Sequence, residues 1–177
     1  IAQQNQDTKL AEMVNNVNSN ISKLEDQVTS VVAHLDDTSF IDGAKFNDAV
    51  EMVDELNNMH EKLEGFSKTG LVYGGYQTLF NETPHEYKEL DAGLRRCEAV
   101  KKVWTTIKDW NANYETWMEC PFVQPDGTIG LDVEEMDRQV QSIFKEVYSL
   151  HKKTDTRTTE ILKDKVSDVK MMMPNIL

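Results

Sequence analysis

The chain has 177 residues, of which 39% are hydrophobic and 28% are charged. This size predicts one domain or a short series of helical bundles. Only 8 residues are glycine and 4 are proline, which argues against a collagen-like chain and an all-β fold with many tight turns. The net charge of −12 argues against binding to nucleic acid or to an anionic membrane, because both depend on basic side chains. No apolar run approaches the roughly 20 residues of a membrane span. We therefore expect a soluble, acidic and mostly helical protein.

The two ends and the cysteines indicate the setting of the chain. It begins at Ile1 with a polar stretch rather than a signal sequence, and it ends at Leu177 directly after a hydrophobic cluster. We expect both ends to lie inside a longer protein. The two cysteines, Cys97 and Cys120, are too few for a disulfide framework. Reduced thiols in the cytoplasm are the simplest interpretation, and a single disulfide is the alternative.

The first predicted helix covers residues 5–36. Its apolar residues alternate in steps of four and three, which is typical of a supercoiled helix with one stripe facing a partner. The stripe comprises Leu10, Val14, Val17, Ile21, Leu24, Val28, Val31 and Leu35. At about 1.5 Å per residue the helix is about 45 Å long, so we expect a rod. The stripe can pair within the chain or with a second chain, and the sequence leaves both open.

A second helix is predicted over residues 43–80, after a turn rich in Asp, Ser and Thr. Its apolar stripe comprises Phe46, Val50, Val53, Leu56, Met59, Leu63 and Phe66, and it continues through Tyr73 and Tyr76 to Phe80. Four glycines lie within this helix, at Gly65, Gly70, Gly74 and Gly75. Each costs about 1 kcal/mol relative to alanine in a helix interior. We therefore expect a weakened and bent stretch at residues 65–75.

A third helix is predicted over residues 85–118. In the break before it, Thr83 is the expected N-cap and Pro84 the expected first helical residue. The stripe of this helix comprises Tyr87, Leu90, Leu94, Cys97, Val100, Val103, Trp104, Ile107, Trp110, Tyr114 and Trp117. Pro121 ends the helix. The loop that follows, residues 123–130, contains the Pro-Asp-Gly sequence of a β-turn at residues 125–127.

Two shorter helices complete the predicted fold, over residues 132–152 and 156–173. The fourth helix starts at Asp132, with Glu134 and Glu135 in its first turn, where carboxylates interact favourably with the helix dipole. The fifth follows a polar connection and is ended by Pro174. No segment has the pattern of a strand. The predicted fold class is all-α, an elongated antiparallel bundle of about five helices with coiled-coil character and no sheet.

The sequence predicts no metal site. A di-iron bundle needs Glu-x-x-His pairs on facing helices. Of the four histidines, His34, His60, His85 and His151, only His85 has a glutamate three residues earlier, and Pro84 places that pair in a turn. Histidines that face solvent or cap a helix are the simpler interpretation.

No catalytic or cofactor-binding residue is predicted either. Cys97 lies on an apolar stripe, where a small thiol fills the core, and Cys120 lies at the C-terminal end of a helix, which disfavours a thiolate. The carboxylate pairs at residues 36–37 and 134–135 are explained by capping. The chain has no P-loop, dinucleotide-binding fingerprint or zinc-ligand spacing.

Two features suggest contacts with other proteins. Four aromatic residues, Trp104, Trp110, Tyr114 and Trp117, lie within one helix. Core packing is the favoured interpretation, and the alternative is that one or two are exposed as anchors for a partner. The second feature is the run Met171–Met173. It suits an adaptable contact surface, although core residues whose partner lies further along the chain are favoured.

Four local motifs follow one another in the second half of the chain. They are Phe80–Leu90, which ends in Tyr-Lys-Glu-Leu; an aromatic helix with Val103-Trp104, closed by Pro121-Phe122; the Leu-Asp-Val-Glu-Glu of residues 131–135; and Lys170–Leu177, with Met-Pro-Asn-Ile. Together they resemble the region of dynein heavy chains where the tail stem runs into the linker domain. The resemblance covers residues 40–177, and residues 1–40 match only as a generic coiled-coil stem. The similarity is axonemal more than cytoplasmic, and loop 123–130 is longer than the pattern of the family.

The resemblance implies a tail-stem helical bundle at residues 1–120 and the start of the linker at residues 121–177. The implied function is a non-catalytic mechanical segment that joins the cargo- or axoneme-anchored tail to the linker lever of a microtubule motor. ATP and Mg²⁺ would bind in the AAA+ ring of the parent chain and not in this segment. The implied partners are the rest of the heavy chain with its ring, other heavy chains, and intermediate or light chains. The implied location is the cytoplasm and cytoskeleton, in the axoneme of a cilium or flagellum.

Stiff helices joined at hinges fit this mechanical role, with candidate hinges at residues 65–75 and 125–130. Two functions of other classes compete with it. A spectrin-like or other cytoskeletal scaffold module that binds protein partners would share the heptads and the acidic charge, but it predicts an internal repeat, and the sequence contains none. An enzyme with a cofactor in a helical bundle would need ligand spacings that the sequence lacks.

Overall fold

Five α-helices make up most of the computed structural model, which describes residues 2–120, 127 and 130–176. They are α1 (Ala2–His34), α2 (Ala49–Leu79), α3 (Lys88–Glu119), α4 (Val133–Lys153) and α5 (Arg157–Ile176). No strand is present among the described residues. This confirms the all-α fold class and the number of helices. None of the described helices combines the length and the hydropathy that crossing a membrane requires.

The start of α2 differs from the expectation, because two short 3₁₀-helices, Thr38–Phe40 and Phe46–Asp48, occupy the segment between α1 and α2. The Asp37 carboxylate accepts a hydrogen bond from the backbone N–H of Ser39 at 2.9 Å, and the Asp42 carboxylate accepts one from the N–H of Ala44 at 2.9 Å. Gly43 lies between them with a φ of +77°. The Asp-rich stretch is thus a turn, as expected, but α2 begins six residues later than the predicted position 43.

The end of α2 is a Schellman motif formed around Asn81, which has a φ of +61°. The N–H of Glu82 donates to the carbonyl of Gln77 at 2.8 Å, and the N–H of Asn81 donates to the carbonyl of Thr78 at 3.1 Å. The chain then stays non-helical until Lys88. The predicted N-cap at Thr83 is therefore wrong, because residues 82–87 run across the side of α2 before α3 begins.

The glycine-rich stretch of α2 is an uninterrupted helix from residue 65 to residue 75. The expected weakening does not break the helix. Two of the glycines lie under the non-helical segment: a Cβ atom at Gly70 would be 2.7 Å from Cε2 of Tyr87, and one at Gly74 would be 3.4 Å from Cβ of Pro84. These glycines let that segment approach the helix backbone closely.

The described helices divide into two compact units. Unit 1 comprises Ile1–Asp36 and Leu56–Ala99, and unit 2 comprises Asp37–Glu55 and Val100–Leu177. Helices α2 and α3 therefore each contribute residues to both units. The predicted boundary between stem and linker at residue 120 follows the family pattern rather than this division, and it stays a prediction.

Unit 1 is a three-helix bundle in which α1 and α3 run parallel. The Thr29 hydroxyl donates to the Glu89 carboxylate at 2.9 Å, and further along both helices a Cβ at Gly93 would be 2.6 Å from Cγ2 of Val32. Helix α2 runs antiparallel to α3, since its early residue His60 lies 3.5 Å from the late residue Glu98, whereas Gly70 meets Tyr87. The core of unit 1 comprises Val17, Ile21, Leu24, Val28, Leu35, Leu56, Met59, Leu63, Leu90 and Cys97.

Unit 2 is built around an antiparallel hairpin of α4 and α5. Asp132 caps α4, because its carboxylate accepts a hydrogen bond from the N–H of Glu135 at 3.0 Å. Buried Thr158 ties α5 to the first 3₁₀-helix: its hydroxyl donates to the carbonyl of Phe40 at 3.1 Å, and its N–H donates to the carbonyl of Ile41 at 3.2 Å. The core of unit 2 includes Phe40, Phe46, Met52, Val53, Trp104, Ile107, Trp110, Met136, Val140, Val147, Leu162, Val166, Val169 and Met173.

The expectation that α5 ends at Pro174 is wrong, because the helix continues to Ile176 with the proline inside its last turn. Pro174 lacks the N–H that would donate to the carbonyl of Lys170, so the last turn has one helix hydrogen bond fewer. Most of loop 123–130, including the second candidate hinge, lies outside the described residues. Within it, Gly127 has a φ of +88°, which is a turn conformation that favours glycine.

Candidate interaction surface

An open groove of about 540 Å³ lies on the surface of unit 2. We name it the Tyr114–Met172 groove after two exposed residues on its sides. Its lining consists of Asn47, Trp110, Asn111, Tyr114, Lys165, Asp168, Val169 and Met172. The groove brings together the two features that the sequence singled out separately, the aromatic helix and the methionine run.

Helical spacing places these side chains in the groove. Trp110 and Tyr114 are one turn apart on α3, and their ring centroids are 6.0 Å apart. Lys165, Val169 and Met172 follow at steps of four and three on α5, so they share one face of that helix. The Asn111 amide donates to the carbonyl of Phe46 at 3.0 Å. This bond fixes α3 against the second 3₁₀-helix at one side of the groove.

Burial decides between the two interpretations of the aromatic residues. The tryptophans Trp104, Trp110 and Trp117 are 0%, 2% and 7% exposed, which is core packing. Trp110 and Trp117 meet edge to face, with ring centroids 5.7 Å apart. Tyr114 is 41% exposed, so it alone of the four presents a large part of its ring to solvent.

The methionine run divides in a similar way. Met173 is 1% exposed and belongs to the core, whereas Met172 is 46% exposed and Met171 is 73% exposed. Three consecutive residues point in three directions around a helix, so one of them faces the core and the others do not. Neither sequence interpretation holds for the whole run.

The rim of the groove carries one side chain of each charge, Lys165 and Asp168, over an apolar floor. The Lys165 ammonium lies 4.9 Å from the centroid of the Phe46 ring, within range of a cation–π contact. A second such contact on α5 joins Lys170 and Phe144, at 3.8 Å. An apolar floor with a mixed polar rim can take an apolar side chain of another protein segment.

A second cavity, of about 480 Å³, lies in unit 1 between α2 and the segment that follows it. Tyr87 lines it, and its hydroxyl is buried without a hydrogen-bond partner among the described residues. Burial, together with the nearby Glu25 carboxylate and Tyr73, raises the pKa of Tyr87 above its ordinary value of 10.0. The neighbouring His85 ring contacts the Glu25 carboxylate, and the backbone N–H of His85 donates to Oε1 of Gln77 at 2.8 Å. These contacts hold the non-helical segment in place.

Both cysteines have ordinary contacts with backbone carbonyls. Cys97 is fully buried in unit 1, and its thiol lies 3.7 Å from the carbonyl of Leu56. It packs as core, as expected. Cys120 follows the last residue of α3, and its thiol lies 2.9 Å from the carbonyl of Gly130.

The histidines have local partners of ordinary kinds. His85 contacts Glu25 rather than Glu82, which lies three residues earlier in the sequence. His60 lies within 4 Å of two carboxylates, and His151 lies 3.0 Å from the Thr159 hydroxyl. Within residues 2–120, 127 and 130–176, no group of three or more His, Cys, Asp or Glu side chains is arranged to hold a metal ion.

Three packing positions were not predicted from the sequence: Gly70 under Tyr87, Gly93 against Val32, and Asn81 at a positive φ. The signal for Asn81 was available, since asparagine tolerates the left-handed region at a helix end. For the two glycines no local signal exists, because their role depends on a residue elsewhere in the chain.

The five helices and their exposed apolar side chains define a helical-bundle segment. Residues 90–177, just under half of the chain, match the family "Dynein heavy chain, N-terminal region 2". Over 100 residues the chain is 22% identical to dynein axonemal heavy chain 1 of Homo sapiens, Mus musculus and Rattus norvegicus. This match and these relatives confirm the resemblance to dynein heavy chains that the local motifs indicated.

The matched stretch covers 56% of this chain but only 2% of the length of these relatives. The chain therefore corresponds to a small part of a heavy chain of their size. No solved structure matches the chain.

Proposed function

We propose that this segment is a non-catalytic mechanical element, which joins the tail of a dynein heavy chain to its linker lever. The observation that carries the proposal is the match of residues 90–177 to the N-terminal region of dynein heavy chains. The uninterrupted helices α2 and α3, of 31 and 32 residues, support it, because hydrogen-bonded helices resist bending better than loops. The match favours this function over a spectrin-like scaffold. An elongated shape, which a lever needs, stays a prediction that small-angle scattering tests.

What we propose for the rest of the parent motor rests on the similarity to dynein heavy chains. ATP and Mg²⁺ would bind in the AAA+ ring of the complete heavy chain, and the segment would act through the ring, other heavy chains, or intermediate and light chains. The names of the relatives, which are axonemal heavy chains, support a place in the axoneme of a cilium or flagellum. Movement along microtubules would then belong to the complete motor rather than to this segment.

A test separates a mechanical role from a role in catalysis. Lys108 and Glu115 are exposed residues of α3 within the matched region. Glycine at both positions lowers helix stability by about 1 kcal/mol each, so it softens the helix without removing a core contact. In the complete heavy chain we expect slower microtubule gliding at unchanged ATPase activity. Alanine at the same two positions is the matched control, and it should leave both activities as they are.

The outcomes of this test differ clearly. An equal loss of ATPase activity and gliding velocity would show that the segment acts on the catalytic ring and not as a lever. Gliding at the normal velocity with both glycines in place would show that α3 does not transmit force.

A further inference from the structure

The connection between α2 and α3 in unit 1 carries an exposed threonine in a non-helical backbone. Residues 82–87 are non-helical, and residues 81–86 are all exposed. Thr83 lies near the start of this segment. Among the described residues it is the only exposed serine or threonine outside the α-helices and 3₁₀-helices. The fold therefore presents the Thr83 side chain to an enzyme more openly than any helical hydroxyl.

The Thr83 hydroxyl is also free to react. It has no hydrogen-bond partner among the described residues. The hydroxyls of Thr69 and Thr78, by contrast, donate to the carbonyls of Gly65 and Gly74, both at 3.0 Å. A hydroxyl that is bonded inside a helix loses that bond when it reacts. At Thr83 no contact of this kind has to be broken.

The residue after Thr83 is Pro84, and no other serine or threonine of the chain precedes a proline. The remaining prolines follow Cys120, Gln124 and Met173. A proline restricts the residue before it to extended conformations, and it has no backbone N–H. An enzyme pocket that offers no acceptor for that N–H accepts proline and disfavours other residues. Pro84 thus supplies the feature by which a proline-directed kinase selects its acceptor.

The backbone N–H groups on either side of Thr83 bind to one residue of α2. The N–H of Glu82 donates to the carbonyl of Gln77, and the backbone N–H of His85 donates to Oε1 of Gln77, both at 2.8 Å. Thr83 lies between these two bonds, beside the last turns of α2. An enzyme that draws the segment into its cleft therefore has two backbone bonds to break here, and both depend on Gln77.

We propose that Thr83 is a phosphorylation site for a proline-directed serine/threonine kinase. In the transfer, Oγ1 of Thr83 forms a bond to the γ-phosphorus of ATP, and the bond from that phosphorus to the bridging oxygen breaks. ADP leaves with the electron pair of that bond, and the hydroxyl proton passes to a carboxylate of the kinase. This inference does not depend on the proposed mechanical function, and either can fail alone.

The phosphate would add negative charge where neighbouring groups are already negative. Glu82 and Glu86 lie in the same segment, and no Lys or Arg lies within residues 69–87. Helix α2 ends at Leu79, and the C-terminal end of a helix carries partial negative charge. A phosphate in such surroundings is repelled rather than bound. Phosphorylation therefore loosens segment 82–87 from α2.

Incubation of the folded 177-residue chain with a mitogen-activated protein kinase and MgATP tests the site. We expect one phosphoryl group per chain in the intact mass, and Thr83→Ala should abolish its incorporation. Pro84→Ala should slow incorporation roughly tenfold or more, because the N–H of alanine then stays unpaired in the kinase pocket. Thr38→Ala is the matched control, since Thr38 is exposed but precedes Ser39. It should incorporate phosphate at the wild-type rate.

A synthetic peptide of residues 78–90 separates the sequence motif from its presentation by the fold. The folded chain should be modified at a rate comparable to that of the peptide. A peptide that is modified while the folded chain is not would overturn the proposal, because the fold would then hide the hydroxyl. Failure to modify either substrate, or undiminished incorporation into Thr83→Ala, would overturn it as well.

Hydrogen exchange of the phosphorylated chain tests the loosening. The amide protons of Glu82 and His85 should exchange about two- to fivefold faster than in the unmodified chain, and high salt should reduce the difference. The amides of α4, which lies in unit 2, are the internal reference and should be unchanged. Unchanged or slower exchange at Glu82 and His85 would overturn the effect, because the fold would then tolerate or bind the phosphate.

Discussion

Substitution by alanine should change the stability of unit 1 differently at different glycines of α2. An added Cβ at Gly75 meets no heavy atom within 4 Å, and the same is true at Gly65. Alanine at either position should therefore give only the gain in helix propensity, about 1 kcal/mol. At Gly70 the added Cβ would lie 2.7 Å from Cε2 and 3.1 Å from Cδ2 of Tyr87. An aromatic ring cannot bend away from such a contact, so the ring or the helix must move.

The size of the difference follows from these contacts. Forcing an extra methyl group into a filled space costs about 1–3 kcal/mol, and the helix-propensity gain of about 1 kcal/mol offsets part of it. We expect Gly70→Ala to leave unit 1 unchanged or to destabilise it by up to about 2 kcal/mol. The propensity gain is common to both sites, so the difference between Gly70→Ala and Gly75→Ala isolates the contact with Tyr87.

Urea unfolding followed by far-ultraviolet circular dichroism measures these differences. The three glycines and Tyr87 all lie in unit 1, so the variants report on the same unit. A double-mutant cycle adds a control. Once Tyr87→Ala has removed the ring, Gly70→Ala should stabilise by about 1 kcal/mol, as Gly75→Ala does.

Two results would refute this reasoning. If Gly70→Ala stabilises as much as Gly75→Ala in the wild-type background, the Tyr87 ring does not lie against the helix. If Gly75→Ala destabilises, that glycine is required for a reason other than the space around it. A role of residues 65–75 as a working hinge is a separate prediction, which the gliding velocity of the complete motor would test with the same alanine variants.

Three further predictions concern a cap, a turn and a buried hydroxyl. Asp132→Ala should lower the free energy of unfolding of unit 2 by about 1 kcal/mol in urea, because the N–H of Glu135 loses its acceptor. Asp132→Asn should retain most of the stability, since asparagine also caps a helix. Asn81→Ala should cost about 1–2 kcal/mol at its φ of +61°, whereas Asn81→Gly should cost nothing. Tyr87→Phe should be neutral or stabilising at neutral pH, because the hydroxyl it removes is buried without a partner. Since the folded pKa of Tyr87 is raised, ionisation of the phenol favours the unfolded chain, and the stability of unit 1 falls as the pH rises above 10.0. Above that pH, the melting temperature of the wild type should therefore fall more than that of the Tyr87→Phe variant.

The sequence predicted the helices best where a regular stripe and a terminal signal agreed. Helix α4 has both, an apolar stripe and Asp132 at its start, and its observed bounds differ from the prediction by one residue at each end. The start of α2 was misplaced because Phe46 continues the apolar spacing although it lies in a 3₁₀-helix. A short 3₁₀-helix and an α-helix bury similar positions, so the pattern alone does not separate them.

The candidate groove was predicted only in its parts. The sequence indicated that an aromatic residue of α3 or a methionine of α5 could be exposed, but not which one. Tyr114 and Met172 line the same groove because α3 and α5 both belong to unit 2. That proximity depends on how the hairpin of α4 and α5 packs, and no spacing along the chain contains this information. The family resemblance, by contrast, rested on local motifs and was confirmed over residues 90–177.

Helix α1 shows most clearly what a periodic stripe does and does not determine. Its steps of four and three run without interruption from Leu10 to Leu35, yet burial begins at Val17. The spacing determines which face of the helix can pack, but it does not determine where the packing partner starts. In unit 1 the third helix begins only at Lys88, level with the residues just before Thr29. Ile21 and Leu24 are buried although both precede Thr29, so the start of α3 does not set the start of burial, and the stripe alone does not state which neighbour covers it.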